Sequence, residues 1–142
     1  MPREPQFRVG QKVDDYILEV PLGAGQDGEV WRARKQSLGK VFAIKFLNNI
    51  AERDKLDRFY REIQILASLN HPHVIHISDK GEAWSPTTEK LATYYTMEFL
   101  DARAIDVALL ETEPHQLTKQ LCTLLEQVAS ALTAVYDAGI AH

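Results

Sequence analysis

Three glycines and one lysine are the residues through which this 142-residue sequence could do chemistry. The run Leu22-Gly23-Ala24-Gly25-Gln26-Asp27-Gly28-Glu29-Val30 sets the glycines at G-x-G-x-x-G, and Val41-Phe42-Ala43-Ile44-Lys45 follows. Without Cβ atoms, Gly23, Gly25 and Gly28 let the backbone bend and bring its N–H groups against a polyphosphate without steric cost. Lys45 supplies a cation for the same phosphates, so the stretch reads as a nucleotide cradle. Dinucleotide-binding domains use the same glycine spacing, but there the third glycine opens a helix and an acid about 20 residues on binds a ribose. Here Glu29-Val30-Trp31-Arg32-Ala33-Arg34 has strand character and turns at Ser37-Leu38-Gly39, and a lysine stands where the acid should be.

The elements that must position these groups follow from periodicity. Tyr16, Leu18, Val20 and Leu22 alternate with Ile17, Glu19 and Pro21, which predicts a strand entering the glycine loop. Pro21 cannot donate to a ladder, so pairing is expected to break there. Asn48 and Asn49 stop the lysine strand, and Leu56, Phe59, Ile63, Leu66 and Ala67 predict a helix from about Lys55 to Leu69. On a wheel Glu62 lies about 40° from Leu66 and about 60° from Phe59, so its carboxylate is expected to point inward. An inward charge needs a partner, and Lys45 is the nearest candidate upstream. A fourth strand is expected from Val74, Ile75 and Ile77, an exposed connection from Gly81 to Lys90, and a fifth strand over Leu91–Leu100. Leu121, Leu124, Leu125, Val128, Leu132 and Val135 predict a long helix over Leu117–Asp137, with Gly139 at C′.

Strand, glycine loop, strand, turn and Ala-Ile-Lys on a third strand resemble the start of a eukaryotic-type protein kinase domain. Phe59-Tyr60-Arg61-Glu62-Ile63-Gln64-Ile65-Leu66 and His71-Pro72-His73-Val74-Ile75 resemble the family's helix C and the turn after it. The resemblance implies an α+β fold: a kinase-like N-terminal lobe of five antiparallel strands plus helix C, then a hinge and the first helices of an incomplete C-terminal lobe. Residues 1–12 are then a loose leader, 13–100 the lobe and hinge, and 101–142 the start of the second lobe. By the same resemblance Lys45 and Glu62 form an ion pair that presents the lysine to ATP phosphates. Residues 22–28 cover the phosphates. Leu22, Val30 and Ala43 wall the adenine, Met97 takes the gatekeeper place, and the backbone of Glu98 and Leu100 bonds the adenine edge. Core packing of Met97 is compatible with that role and is not separable from it by sequence.

The resemblance also implies what is expected of the remaining residues. Asp106 is expected to be a surface-helix aspartate rather than a ribose ligand. Asp27 places a carboxylate opposite a polyanion and is expected to oppose nucleotide binding unless magnesium intervenes. His142 takes the place of the histidine in the family's His-Arg-Asp string, so the proton-accepting aspartate and the magnesium ligands fall outside these residues. These residues are therefore expected to be the ATP-binding portion of a serine/threonine kinase domain and to be inactive alone, with magnesium and protein substrate expected only in a complete domain. The alternative is a truncated or pseudokinase regulatory module.

Composition narrows the partners. Sixteen basic against 20 acidic residues give a net charge of −4, which offers no field for nucleic acid or an anionic membrane. No run reaches the roughly 18 apolar residues a membrane helix needs, and the chain is expected to be cytoplasmic. The single cysteine, Cys122, is expected to be a small buried residue on the long helix, and His71, His73 and His76 are expected to be loop residues rather than metal ligands. An exposed apolar patch near Leu121, Leu125, Val128 and Leu132 is expected to promote self-association.

Overall fold

Val41-Phe42-Ala43-Ile44-Lys45-Phe46 alternates in side-chain direction, and that alternation divides the sheet into two unlike faces. A computed structural model of the protein describes residues 4–25, 28–47, 53–101 and 110–139. Strands β1 (Lys12–Val13), β2 (Tyr16–Ala24), β3 (Gly28–Lys35), β4 (Lys40–Leu47), β5 (Ile77–Ser85) and β6 (Lys90–Glu98) form one antiparallel sheet in the order β1-β2-β3-β4-β6-β5. The helices are α1 (Arg53–Ser68) and α2 (Pro114–Asp137). The chain forms two compact units, Met1–Arg61 with Ile77–Phe99, and Glu62–His76 with Leu100–His142.

One sheet face carries the core. Phe7, Tyr16, Leu18, Trp31, Ala33, Phe42, Ile44, Phe46 and Tyr94 are buried there, with the Phe7 ring stacked 3.7 Å from that of Phe46. The segment expected to be a loose leader is therefore tied down over Pro5–Phe7, where Phe7 is buried. Thr87 Oγ1 donates to the Pro5 carbonyl and Ser85 Oγ to that of Gln6, each at 2.9 Å. The two-residue β1 adds a sixth strand to the five expected.

Three other expectations change. Val20 and Leu22 are exposed, because the β2–β3 register shifts between Leu18 and Val20 and again between Pro21 and Gly23. The expected break at Pro21 is thus present, and it ends the simple alternation. The connection expected over Gly81–Lys90 is mostly strand, with only a four-residue turn after Ser85 in which Glu89 has φ +52°. Gly81 marks close approach rather than a loop: a Cβ there would lie 2.7 Å from the Tyr94 hydroxyl.

A polar cluster ties the core face together. Lys35 Nζ and the Tyr16 hydroxyl both donate to Asp79 Oδ2, at 2.8 and 2.7 Å, and the Tyr94 hydroxyl donates to Asp14. The bond from Lys35 holds Asp79 below the usual carboxylate range, while burial pushes Tyr16 and Tyr94 above the usual phenol range. Asp79 therefore adds stability above its ordinary pKa of about 3.9, lost as pH falls through the lowered folded value. The tyrosines act at the other end, with a contribution present below about pH 10 and lost as pH rises through their folded values. The Asp79 side chain is 45% exposed, which keeps its share small. Melting temperature followed against pH is expected to fall on both sides, with Asp79→Asn making the acid limb shallower; an unchanged acid limb would contradict this.

Candidate nucleotide-binding site

Residues directly opposite one another in an antiparallel pair point to the same face. Lys45 is paired with Val30 on β3 and Tyr95 on β6, and Val30 in turn with Gly23. Two residues along, Ala43 is paired with Arg32 and Met97, and Arg32 with Val20. The register thus gathers Val30, Ala43, Lys45 and Met97, four of the residues singled out from sequence, on the face opposite the core. Ala43 is buried, and Val30, Lys45 and Met97 are half-buried.

The glycine loop closes at its base through the Gly25 N–H, which donates to the Gly28 carbonyl at 2.9 Å. Its three glycines serve different ends. Gly28 has φ +147°, and a Cβ there would lie 1.9 Å from the Phe46 carbonyl oxygen, so the fold itself requires glycine. At Gly23 and Gly25 a Cβ would meet nothing within 4 Å. Packing does not demand their bare backbone, which leaves it open to close approach by a ligand. Gln26 and Asp27, at the tip, lie outside the described residues, as do Asp106 and His142.

Leu22 falls in the second register shift of β2 and is 49% exposed. Glu98 ends β6 and is exposed, and Leu100 in the other unit is 55% exposed. Glu62 departs from expectation because it is exposed rather than turned inward. The only buried residue of α1 among those described is Ile63, with Phe59 and Leu66 half-buried. Glu62 is therefore 100° from Ile63, the buried position of that stripe. Lys45 belongs to the first compact unit and Glu62 to the second.

Sequence reasoning passed over Val20, Arg32 and Tyr95 on the same face. Alternation from Val30 would have placed Arg32 there, and its guanidinium lies 5.6 Å over the Phe99 ring. Only the bulge at Glu19 brings Val20 round, and no sequence pattern announces it.

In the second unit His71 Nε2 and Ser130 Oγ are 2.9 Å apart, and His71 Nδ1 accepts from the His73 N–H. Both bonds are structural. Helix α2 starts with Pro114 and is capped by Ala138, with Gly139, φ +93°, at the expected C′ place. None of its residues is buried; Leu121, Leu125, Val128, Leu132 and Tyr136 form an exposed stripe. Cys122, expected to be buried, is exposed. Among the described residues no helix is long and apolar enough to cross a membrane.

The protein kinase domain family matches residues 16–142. This chain belongs to that family, and its fold is the α+β kinase fold with the antiparallel sheet of the N-terminal lobe. It is 35% identical over 124 residues to the serine/threonine-protein kinase pkn2 of Myxococcus xanthus, covering 86% of this chain and 14% of that protein. It is 31% identical over 129 residues to the serine/threonine-protein kinase PknA of Mycobacterium tuberculosis, covering 89% and 30%. The crystal structure of the M. tuberculosis PknI kinase domain superposes with a TM-score of 0.76 at 24% identity, covering 96% of this chain and 53% of that one. The chain thus spans less than a third of the length of these two relatives.

Proposed function

We propose that residues 1–142 are the ATP-binding portion of a protein serine/threonine kinase. The observation that carries the reading is the register that sets Val30, Ala43, Lys45 and Met97 on one face beside Gly23 and Gly25. Two glycines that packing does not require fit a polyphosphate, and a half-buried lysine two strands away fits its charge. Gly23, Gly25, Lys45 and the backbone of residues 24–28 would hold the phosphates. Leu22, Val30, Ala43 and Met97 would flank the base, and Glu98 would offer backbone groups to its edge. When bound, ATP supplies the transferable phosphoryl group.

The proton-accepting aspartate and magnesium ligands of the family are not among these 142 residues, whose part in this reading is to hold the nucleotide. Serine or threonine hydroxyls as acceptors follow from the relatives, and a cytoplasmic location from the use of ATP. Titration of the chain with ATP tests the reading. Saturable binding is expected, and a folded chain that takes up no ATP would overturn it.

The stripe on α2 favours a second, compatible role in assembly. The match accounts for only 53% of the PknI kinase-domain chain, and the remainder of such a domain is the occupant we infer for the stripe. These 142 residues alone are expected to self-associate through it, because large apolar side chains contribute about 1.5–3 kcal/mol each on burial. Sedimentation of the chain and of Leu125→Glu would report this: oligomer for the first and monomer for the second are expected, and a well-behaved monomer for both would rule it out.

A further inference from the structure

Glu29, the first residue after the glycine loop, is 5% exposed and turned to the core face, away from Lys45. Its carboxylate accepts from the Gln6 N–H at 2.9 Å, the Phe7 N–H at 3.1 Å and the Trp31 indole N–H at 3.0 Å. A buried carboxylate is stable only when bonded in this way. The same short segment is anchored on its other side by Ser85 and Thr87, at the β5–β6 turn. Pro5 to Phe7 thus form a strap whose backbone groups are met by side chains from two strands.

The glycine loop is held at its base by the pairing of Ala24 with Glu29 and by the Gly25–Gly28 bond. A cavity of about 400 Å³ lies at its base, lined by Gln6, Gly25, Gly28, Glu29, Leu47 and Leu91 among others, and a Cβ on Gly25 would touch nothing. The backbone of Glu29 thus pairs with the loop's entering strand while its side chain holds the strap, and its bonds sit one residue from the Gly25–Gly28 closure.

We propose that Glu29 is a positioning residue, coupling the strap at Pro5–Phe7 to the glycine loop so that strap release loosens the phosphate-binding backbone. This regulation rests on the ATP-binding reading, but the coupling itself does not. Anything that pulls the strap away, such as a partner taking up Phe7, would weaken nucleotide binding without touching the nucleotide.

Amide exchange followed by NMR on the full chain, without nucleotide, tests the coupling. Glu29→Ala is expected to speed exchange at Gln6, Phe7 and Gly25 by roughly tenfold or more, given the strength of charge-assisted bonds. Exchange in β4 and β6 should stay as in the unaltered chain. Glu29→Gln keeps one oxygen for Phe7 and Trp31 but sets an NH₂ group against the Gln6 N–H, so an intermediate effect is expected; being isosteric, it also serves should Glu29→Ala fail to fold. Faster exchange at Gln6 and Phe7 with Gly25 unchanged in either variant would overturn the coupling. ATP titration of the same variants separates the two ideas. If the unaltered chain binds no ATP while Gly25 still responds, the coupling stands and the ATP-binding reading fails. If ATP binds equally to all three, the regulatory role fails.

Discussion

Gly28→Ala is expected to leave the chain largely unfolded, whereas Gly25→Ala melts within a few degrees of the unaltered protein. The difference is geometric. At position 28 the new Cβ would lie 1.9 Å from the Phe46 carbonyl oxygen and 2.9 Å from its carbon, both backbone atoms of the neighbouring strand. The β3–β4 pair would have to part where Gly28 faces Leu47. The φ of +147° adds strain on the order of 1–3 kcal/mol for any L side chain. A domain of this size holds only about 5–15 kcal/mol in all, so a clash with fixed backbone on top of that strain exhausts most of it. At position 25 the added methyl meets nothing within 4 Å and φ is not positive. Thermal denaturation followed by circular dichroism checks the pair, and a cooperative, near-normal melt for Gly28→Ala would contradict the strand geometry described above.

The second large effect is on binding. Lys45→Met is expected to lower ATP affinity roughly tenfold or more while leaving the melting temperature near that of the unaltered chain, because a unit charge about 4 Å from a phosphate is worth about 1 to 4 kcal/mol between water and a protein surface. Methionine keeps the unbranched stem that lies between Val30 and Tyr95, so packing on that face changes little. Lys45 takes part in neither of the ion pairs among the described residues, Arg34 with Glu19 and Lys35 with Asp79. Its removal therefore leaves no carboxylate of those pairs stranded.

What could be read from the chain follows from how local each feature is. The glycine loop, the lysine strand and both helices are set by neighbours within a few residues, so alternation and helical spacing sufficed. The shared face of Val30, Ala43, Lys45 and Met97 follows from the same alternation once the register is known. The strap was illegible because its bonds come from Glu29, Ser85 and Thr87, between 22 and 82 residues away, while its own prolines and mixed charges resemble a tail. The bulges at Glu19 and Leu22 shift the pairing without changing the apolar pattern. Gly81 and its polar neighbours disguised a strand as a connection, since the Tyr94 ring fills the space that a side chain would occupy. For Glu62 the two residues that flank it on the wheel, Phe59 and Leu66, are only half-buried, and Ile63, the buried residue of α1 among those described, lies 100° away. Cys122 sits on a helix none of whose residues is buried, so the usual inference from cysteine to core did not hold.

The comparison of ATP affinity between the unaltered chain and Lys45→Met, measured by calorimetric titration on samples with matched melting temperatures, bears most directly on the claim that this sheet face and glycine loop hold a nucleotide triphosphate. A saturable isotherm that weakens at least tenfold in the variant is the predicted result. Equal affinity in the two, or binding that survives when the triphosphate is replaced by adenosine, would show that the lysine and the loop do not serve the phosphates.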